Sequence, residues 1–332
     1  MIQNKRGTTL PIAVGALAMA LAGATVVHAA DYPERAVTLV VPMAPGGPTD
    51  IVARMVQLKM GEKLGQTVVI DNRAGASGMI GINSVRRAPP DGYMLTVASA
   101  TTHAISVNVY DKVAYDPIKD FSPVGGMVVA PGVLIASLKA APGCKMSAFI
   151  DNLKKSKGNM QFGSSGTGTL AHMSGARFLA ATNTEMLHVP YKGLSSAMND
   201  MYAGQIDAVF DNVSSSLTHI KSGNVCALAV QSPTRLALLP DVPTYKELGY
   251  PQLNKPTWYG IVAPANTPKA VIVKLNEALN YALASEDVRT SLERLGLTAA
   301  PTTPEGFALQ IKDEIALWKE TTDGMKFEKI KN

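Results

Sequence analysis

Two cysteines and five histidines are the whole supply of thiol and imidazole metal ligands in these 332 residues. No two histidines stand at HxxxH or a related spacing, and Cys144 and Cys226 lie far apart, so a metal site is not expected. In an oxidising compartment the two cysteines could pair. The alternative is free thiols, with Cys226 buried in a strand, and the sequence reading leans that way. Basic runs are scarce as well. Lys154-Lys155-Ser156-Lys157 reads as a solvated helix end. The net charge of +5 falls to +3 (29 basic against 26 acidic residues) without Lys5 and Arg6. So mild and dispersed a charge excludes a nucleic-acid partner. The chain has neither GxGxxG nor GxxxxGK[ST], and Gly163-Ser164-Ser165-Gly166-Thr167 breaks the GxSxG elbow at its last position. With no acid–base pair or nucleophile–base constellation in view, the sequence predicts no catalytic residues, no cofactor and no enzyme activity.

One apolar run is present. Leu10–Val27 follows Lys5 and Arg6 and ends in Val27-His28-Ala29, with small residues at −3 and −1 of a cleavage site. Residues 1–30 therefore read as a cleaved signal peptide. No cysteine sits at the junction to carry a lipid, and no later stretch is long and apolar enough to span a bilayer. The mature protein is expected to be exported and not inserted in the membrane. At 46% hydrophobic and 17% charged residues, the chain is globular and long enough for two cores.

The stretch Val37–Met60 is the clearest local signal. Val37 and Leu39–Val41 form a buried strand. Pro42 ends it, Ala44-Pro45-Gly46-Gly47-Pro48 supplies turn chemistry, and Thr49 or Asp50 is expected to cap a helix with Ile51, Val52, Met55, Val56 and Leu58 on its apolar face. Strand, Gly-rich turn and helix start aim free N–H groups at one spot, which suits an anion or else makes a tight packing turn. Thr67–Ile70 and Tyr93–Ala98 are further strands, with a helix around Met79–Val85 between them. Val37–His103 thus reads β-α-β-α-β, a parallel sheet. The order recurs: strand Met160–Gly163, loop Ser164–Gly168, a helix capped by Thr169, strand Met186–Val189, a helix over Ser195–Tyr202, strand Ile206–Phe210 and loop Asp211–Ser215. Polar loops follow the strands in both units, where ligands of open α/β sheets bind. Val128–Ser137 and Asn224–Val230 are the expected crossings between units. The helices Pro268–Leu283, Asp287–Leu295 and Pro304–Trp318 are expected to pack on the first unit. Residues 31–128 with 232–332 would then be one lobe, and 129–231 a second, inserted lobe.

Ten segments, in order, carry a resemblance: APGGPTDIVAR, VVIDNRAGASGMIG, PDGYML, TTHAI, YDPIKDFSPV, FGSSGTGT with His172 behind it, HVPYKG, GQIDAVFDN, LLPDVPT and WYGIVAPANTP. Together they span the mature chain, which resembles the substrate-binding proteins of tripartite tricarboxylate transporters, the TctC or Bug family. The resemblance implies an α/β, two-lobed type II periplasmic-binding-protein fold with a hinge and an interlobe cleft. It implies a monomer that captures a small organic acid and delivers it to a membrane permease; presentation to a sensor receptor is the alternative. The family often holds a ligand carboxylate between a loop of each lobe, partly through ordered water. Carried onto this chain, the ligand-binding positions are Gly46, Gly47, Pro48, Thr49, Asp50, Ser99 and Thr101 in the first lobe. In the second they are Ser164, Ser165, Gly166, Thr169, His172, Tyr191, Lys192, Gly193 and Asp211.

Individual side chains leave choices open. His172 either supports its loop from behind or touches ligand, and Lys192 either neutralises a second carboxylate or is a solvated turn lysine. Asp211 either accepts from a ligand hydroxyl or amine or caps the next helix. His103 and His188 are expected to pack in the fold, Arg73 to anchor the Asn72–Gly78 loop, and Trp258 to be core between the lobes.

Overall fold

The computed structural model describes residues 32–331, so the expected signal peptide lies outside the described residues. Eleven strands form two sheets. The first holds β1 (Val37–Val41), β2 (Val68–Asn72), β3 (Met94–Ser99), β4 (Phe121–Ala130), β10 (Thr257–Pro264) and β11 (Thr298–Ala299), in the order β11-β4-β10-β3-β1-β2. The second holds β5 (Gly132–Ala136), β6 (Gln161–Ser164), β7 (Leu187–Pro190), β8 (Ala208–Asn212) and β9 (Cys226–Gln231), in the order β7-β6-β8-β5-β9. The helices are α1 (Pro48–Leu64), α2 (Met79–Arg86), α3 (Ser106–Val109), α4 (Met146–Ser156), α5 (Leu170–Thr182), α6 (Leu194–Tyr202), α7 (Val213–Lys221), α8 (Lys269–Ala284), α9 (Glu286–Arg294) and α10 (Pro304–Gly324).

Each sheet is built on the β-α-β-α-β pattern the sequence displays. β1 runs parallel to β2 and β3, and β6 parallel to β7 and β8, so both triplets have the first strand in the middle. The remaining strands arrive antiparallel. β10 lies between β3 and β4, and β5 between β8 and β9. The apolar run 128–137 proves to be the end of one strand and the start of another. Pro131, without an N–H for either ladder, separates β4 in one sheet from β5 in the other.

Two apolar layers hold the first sheet. On one face Val52 and Val56 of α1 meet Val271, Leu275 and Leu279 of α8 over Leu39 and Leu95. On the other, Phe307, Ile311 and Trp318 of α10 bury Ile82, Ala98 and Trp258. The last three long helices thus pack on the first sheet, as expected from the sequence. Trp258 is core, edge-on to Phe307, and not a stacking platform. A Cβ at Gly260 would stand 2.1 Å from Cζ of Phe307, a fully buried ring with nowhere to retreat. Gly260→Ala is expected to lower unfolding free energy by about 1–3 kcal/mol, read as a lower urea midpoint with an unchanged m-value.

Two local expectations are corrected. Cys144 and Cys226 are joined in a disulfide rather than free. Their Cα atoms approach to 4.9 Å because β9 and the turn before α4 meet at one end of the second sheet, a contact sequence distance conceals. The cap of α1 is neither Thr49 nor Asp50 but Gly47, with Pro48 as the first helical residue. Proline has no N–H to leave unsatisfied there, and its φ suits the position. Arg73 pairs with Asp71 of β2 at 2.8 Å, which ties the start of the 72–78 loop to the strand end as a structural contact.

Candidate functional site

Both sheets point the same kind of edge at one cavity of about 290 Å³. It collects the carboxyl ends of β3 and β8, the turn after β1 and, because β10 and β5 run antiparallel to their neighbours, the amino ends of those two strands. Ser99 and Tyr259 line it from the first sheet; Val133, Phe210 and Gln231 line it from the second.

Helix starts surround the cavity. The caps of α1, α6 and α7 (Gly47, Gly193 and Asn212) all line it, and α5 contributes Leu170 and Ala171 from its first turn. A cap with no side chain leaves first-turn amides open: neither Gly47 nor Gly193 caps its helix through a side chain. Such amides, with the positive end of each helix dipole, favour an anion by about 0.3–2 kcal/mol per helix end. The lining has two charged residues, Lys192 and Asp211, and no arginine.

Nine of the sixteen positions singled out from the sequence line this cavity: Gly47, Pro48, Thr49, Ser99, Thr101, Ser165, Lys192, Gly193 and Asp211. The other seven do not, and each has a structural task instead. Asp50 Oδ2 accepts from the Gly46 N–H and from Arg54 Nε, both at 2.9 Å, while Oδ1 accepts from Asn72 Nδ2 at 2.9 Å. Burial works to raise its pKa, but these three donors outweigh it and hold the carboxyl below its ordinary range. Gly46 is thereby pinned in the left-handed region, at φ 78°. Ser164 is buried, its Oγ accepting from the Gly166 N–H at 3.1 Å and lying 2.6 Å from His188 Nε2. Thr169 caps α5 by accepting from the His172 N–H and donates to the Gly166 carbonyl. Tyr191 turns away, its phenol donating to Asp200; burial and that carboxylate raise its pKa to about 12.

His172 resolves in favour of support. Its Nδ1 accepts from the Gly168 N–H at 3.0 Å, and its ring stacks on His188 at 3.9 Å between centroids. The pair sits behind the Ser164–Gly168 loop and holds its shape. Burial lowers His172 to about 4. Burial and the neighbouring His172 lower His188 to about 3.

Several lining residues escaped the sequence reading: Ser174, Ser195, Ser196, Asn212, Tyr245 and Thr257. Asn212, Ser195 and Ser196 sat in or beside loops already noted for polarity, whereas Ser174 lies inside α5. Thr257 and Tyr245 had no local signal, since each reaches the cavity only through the antiparallel return of β10 and the segment before it. The far side of the cavity is tied across the sheets. The Leu170 N–H donates to Thr101 Oγ1 at 3.0 Å, and Ser77 and Tyr110 both donate to the Thr167 carbonyl.

Asp211 is the most constrained group here. Burial pushes its pKa up; the Ser216 and Ser215 hydroxyls and the Asn212 N–H push back but do not cancel it. Tyr259, close to Asp211, is also raised by burial.

The profile of the family described as "Tripartite tricarboxylate transporter family receptor" matches residues 52–325. A "UPF0065 protein in tcbD-tcbE intergenic region" of Pseudomonas sp. (strain P51) is 37% identical over 306 residues, covering 92% of this chain and 90% of its own. A solved periplasmic transporter is 40% identical with a TM-score of 0.87, covering 90% of this chain and 99% of its own. MatC of Rhodopseudomonas palustris, solved with bound malate, is 34% identical with a TM-score of 0.83, covering 87% and 99%.

Proposed function

This chain belongs to the tripartite tricarboxylate transporter receptor family, and on that premise we propose that it captures a small organic carboxylate in the periplasm and hands it to a membrane permease. The cavity ringed by helix starts is the observation that carries the reading. Amides of α1, on the first sheet, and of α6, on the second, would grip a carboxylate from both sides without a dedicated arginine. The two sheets with their helices are the two lobes in this proposal, and the segments at Pro131 and after Gln231 are the hinge. Ligand contacts from both sides then stabilise the closed arrangement. A relative was solved with bound malate, an acid of the class that this reading assigns to the cavity.

Isothermal titration against mono-, di- and tricarboxylates, aromatic acids and amino acids tests the reading directly. Folded protein that binds none of them would end it. A variant sharpens the test. Ser196 stands on the cavity wall in the first turn of α6, where an acidic side chain suits the helix dipole. Ser196→Asp is expected to keep or slightly raise thermal stability while weakening ligand affinity about tenfold or more, because two like charges about 5 Å apart repel by a few kcal/mol. Unchanged affinity would show that no anion sits at that helix start.

A further inference from the structure

Asp211 lies at the carboxyl end of β8 and is 7% exposed. One carboxylate oxygen is fully used: Oδ2 accepts from Ser215 Oγ at 2.7 Å and Ser216 Oγ at 2.6 Å. The other, Oδ1, is buried and has no partner. Two more buried polar atoms without partners belong to residues of the same cavity wall: Nδ2 of Asn212 (5% exposed) and Oγ1 of Thr257 (6% exposed). Buried polar atoms are ordinarily satisfied, so an acceptor, a donor and a hydroxyl left open around one cavity describe the complement of a ligand.

An anionic acid and an ionised Asp211 repel each other in a cavity whose other charged lining residue is Lys192. A carboxylate alone therefore does not satisfy this wall. A ligand that also brings a proton donor does. We propose that Asp211 Oδ1 accepts from a hydroxyl or ammonium group of the ligand, so that the receptor selects hydroxy- or amino-substituted carboxylates over the plain acids of the same length. The selection rests on the carboxylate reading above. It works by penalty as much as by attraction: a plain acid leaves the acceptor buried and unpaired, which costs more than a hydrogen bond gains.

The test is a matched series on the whole mature protein: propionate, lactate and alanine; succinate, malate and aspartate; glutarate, 2-hydroxyglutarate and glutamate; adipate, 2-hydroxyadipate and 2-aminoadipate. Within the set that binds, the substituted acid is expected to bind about 10- to 100-fold tighter than the plain one. Asp211→Asn, checked for an unchanged melting profile, should bring the members of that set close together. Thr257→Val, a near-isosteric second variant, should also weaken the substituted acid more than the plain one. A plain acid that binds as tightly as its substituted partners overturns the selectivity and leaves the carboxylate reading intact. So does an undiminished preference in Asp211→Asn. Binding by no acid of the series, nor any in the wider panel, overturns both.

Discussion

Lowering the pH from 7 to 4 is expected to cost this protein several kcal/mol of stability, because His103, His172 and His188 are held neutral by burial. His103 is fully enclosed, with Phe121 and Tyr115 beside its ring, Nδ1 3.0 Å from the Thr102 hydroxyl and Nε2 without a partner. Burial lowers it to about 3, close to His188 and below His172 at about 4. In the unfolded chain all three return to about 6.5. Between that value and the folded ones the unfolded state binds protons that the folded state refuses, so acid favours unfolding. The stability is complete above about pH 6.5 and drains away as pH falls toward 4, each unit of depression being worth about 1.4 kcal/mol. Urea unfolding at pH 7.5, 6, 5 and 4.5 measures it. Three extra protons on unfolding would give a slope approaching 4 kcal/mol per pH unit, or about 1.4 for each proton. A flat profile down to pH 4.5 contradicts the account. Ligand binding to the folded protein should hold through that range and weaken only as pH falls to about 4 and below, where His172 begins to protonate and disturbs the loop that Ser164 and Gly168 anchor to the pair.

Removing the disulfide is the other large effect. Cys144 and Cys226 are 82 residues apart, and opening a loop of that length releases chain entropy worth about 4 kcal/mol in the unfolded state. The expected result for Cys144→Ala with Cys226→Ala is a stability loss of about 2–5 kcal/mol, read from urea midpoints against the oxidised protein. Affinity should hardly change. Cys226 begins β9 and Gln231, which lines the cavity, ends it, so the bridge is at the far end of that strand from the site. A large loss of affinity alongside intact stability would place the effect of the bridge elsewhere.

Much of the candidate site was legible because it is local. Gly47, Pro48 and Thr49 come from one turn, and Lys192 and Gly193 from another, each written in turn chemistry at the end of an apolar run. The seven positions that missed the cavity belong to the same loops. Asp50 and Thr169 face back onto their own turns, and Ser164 and His172 onto the loop between them. A sequence shows which loop is polar. It does not show which of its side chains looks outward, because that depends on a hydrogen-bond partner a few ångströms away and not on the residue type.

Two repeated β-α-β-α-β patterns and their short polar turns were settled by the sequence alone, since periodicity and turn chemistry act within about a dozen residues. The partners across that distance were settled by the tertiary structure. The antiparallel seating of β10 and β5 brings Thr257, Tyr259 and Val133 to the cavity. The meeting of β9 with the turn before α4 closes the disulfide. Burial from every side, which no stretch of chain supplies by itself, leaves Asp211 with one oxygen unanswered.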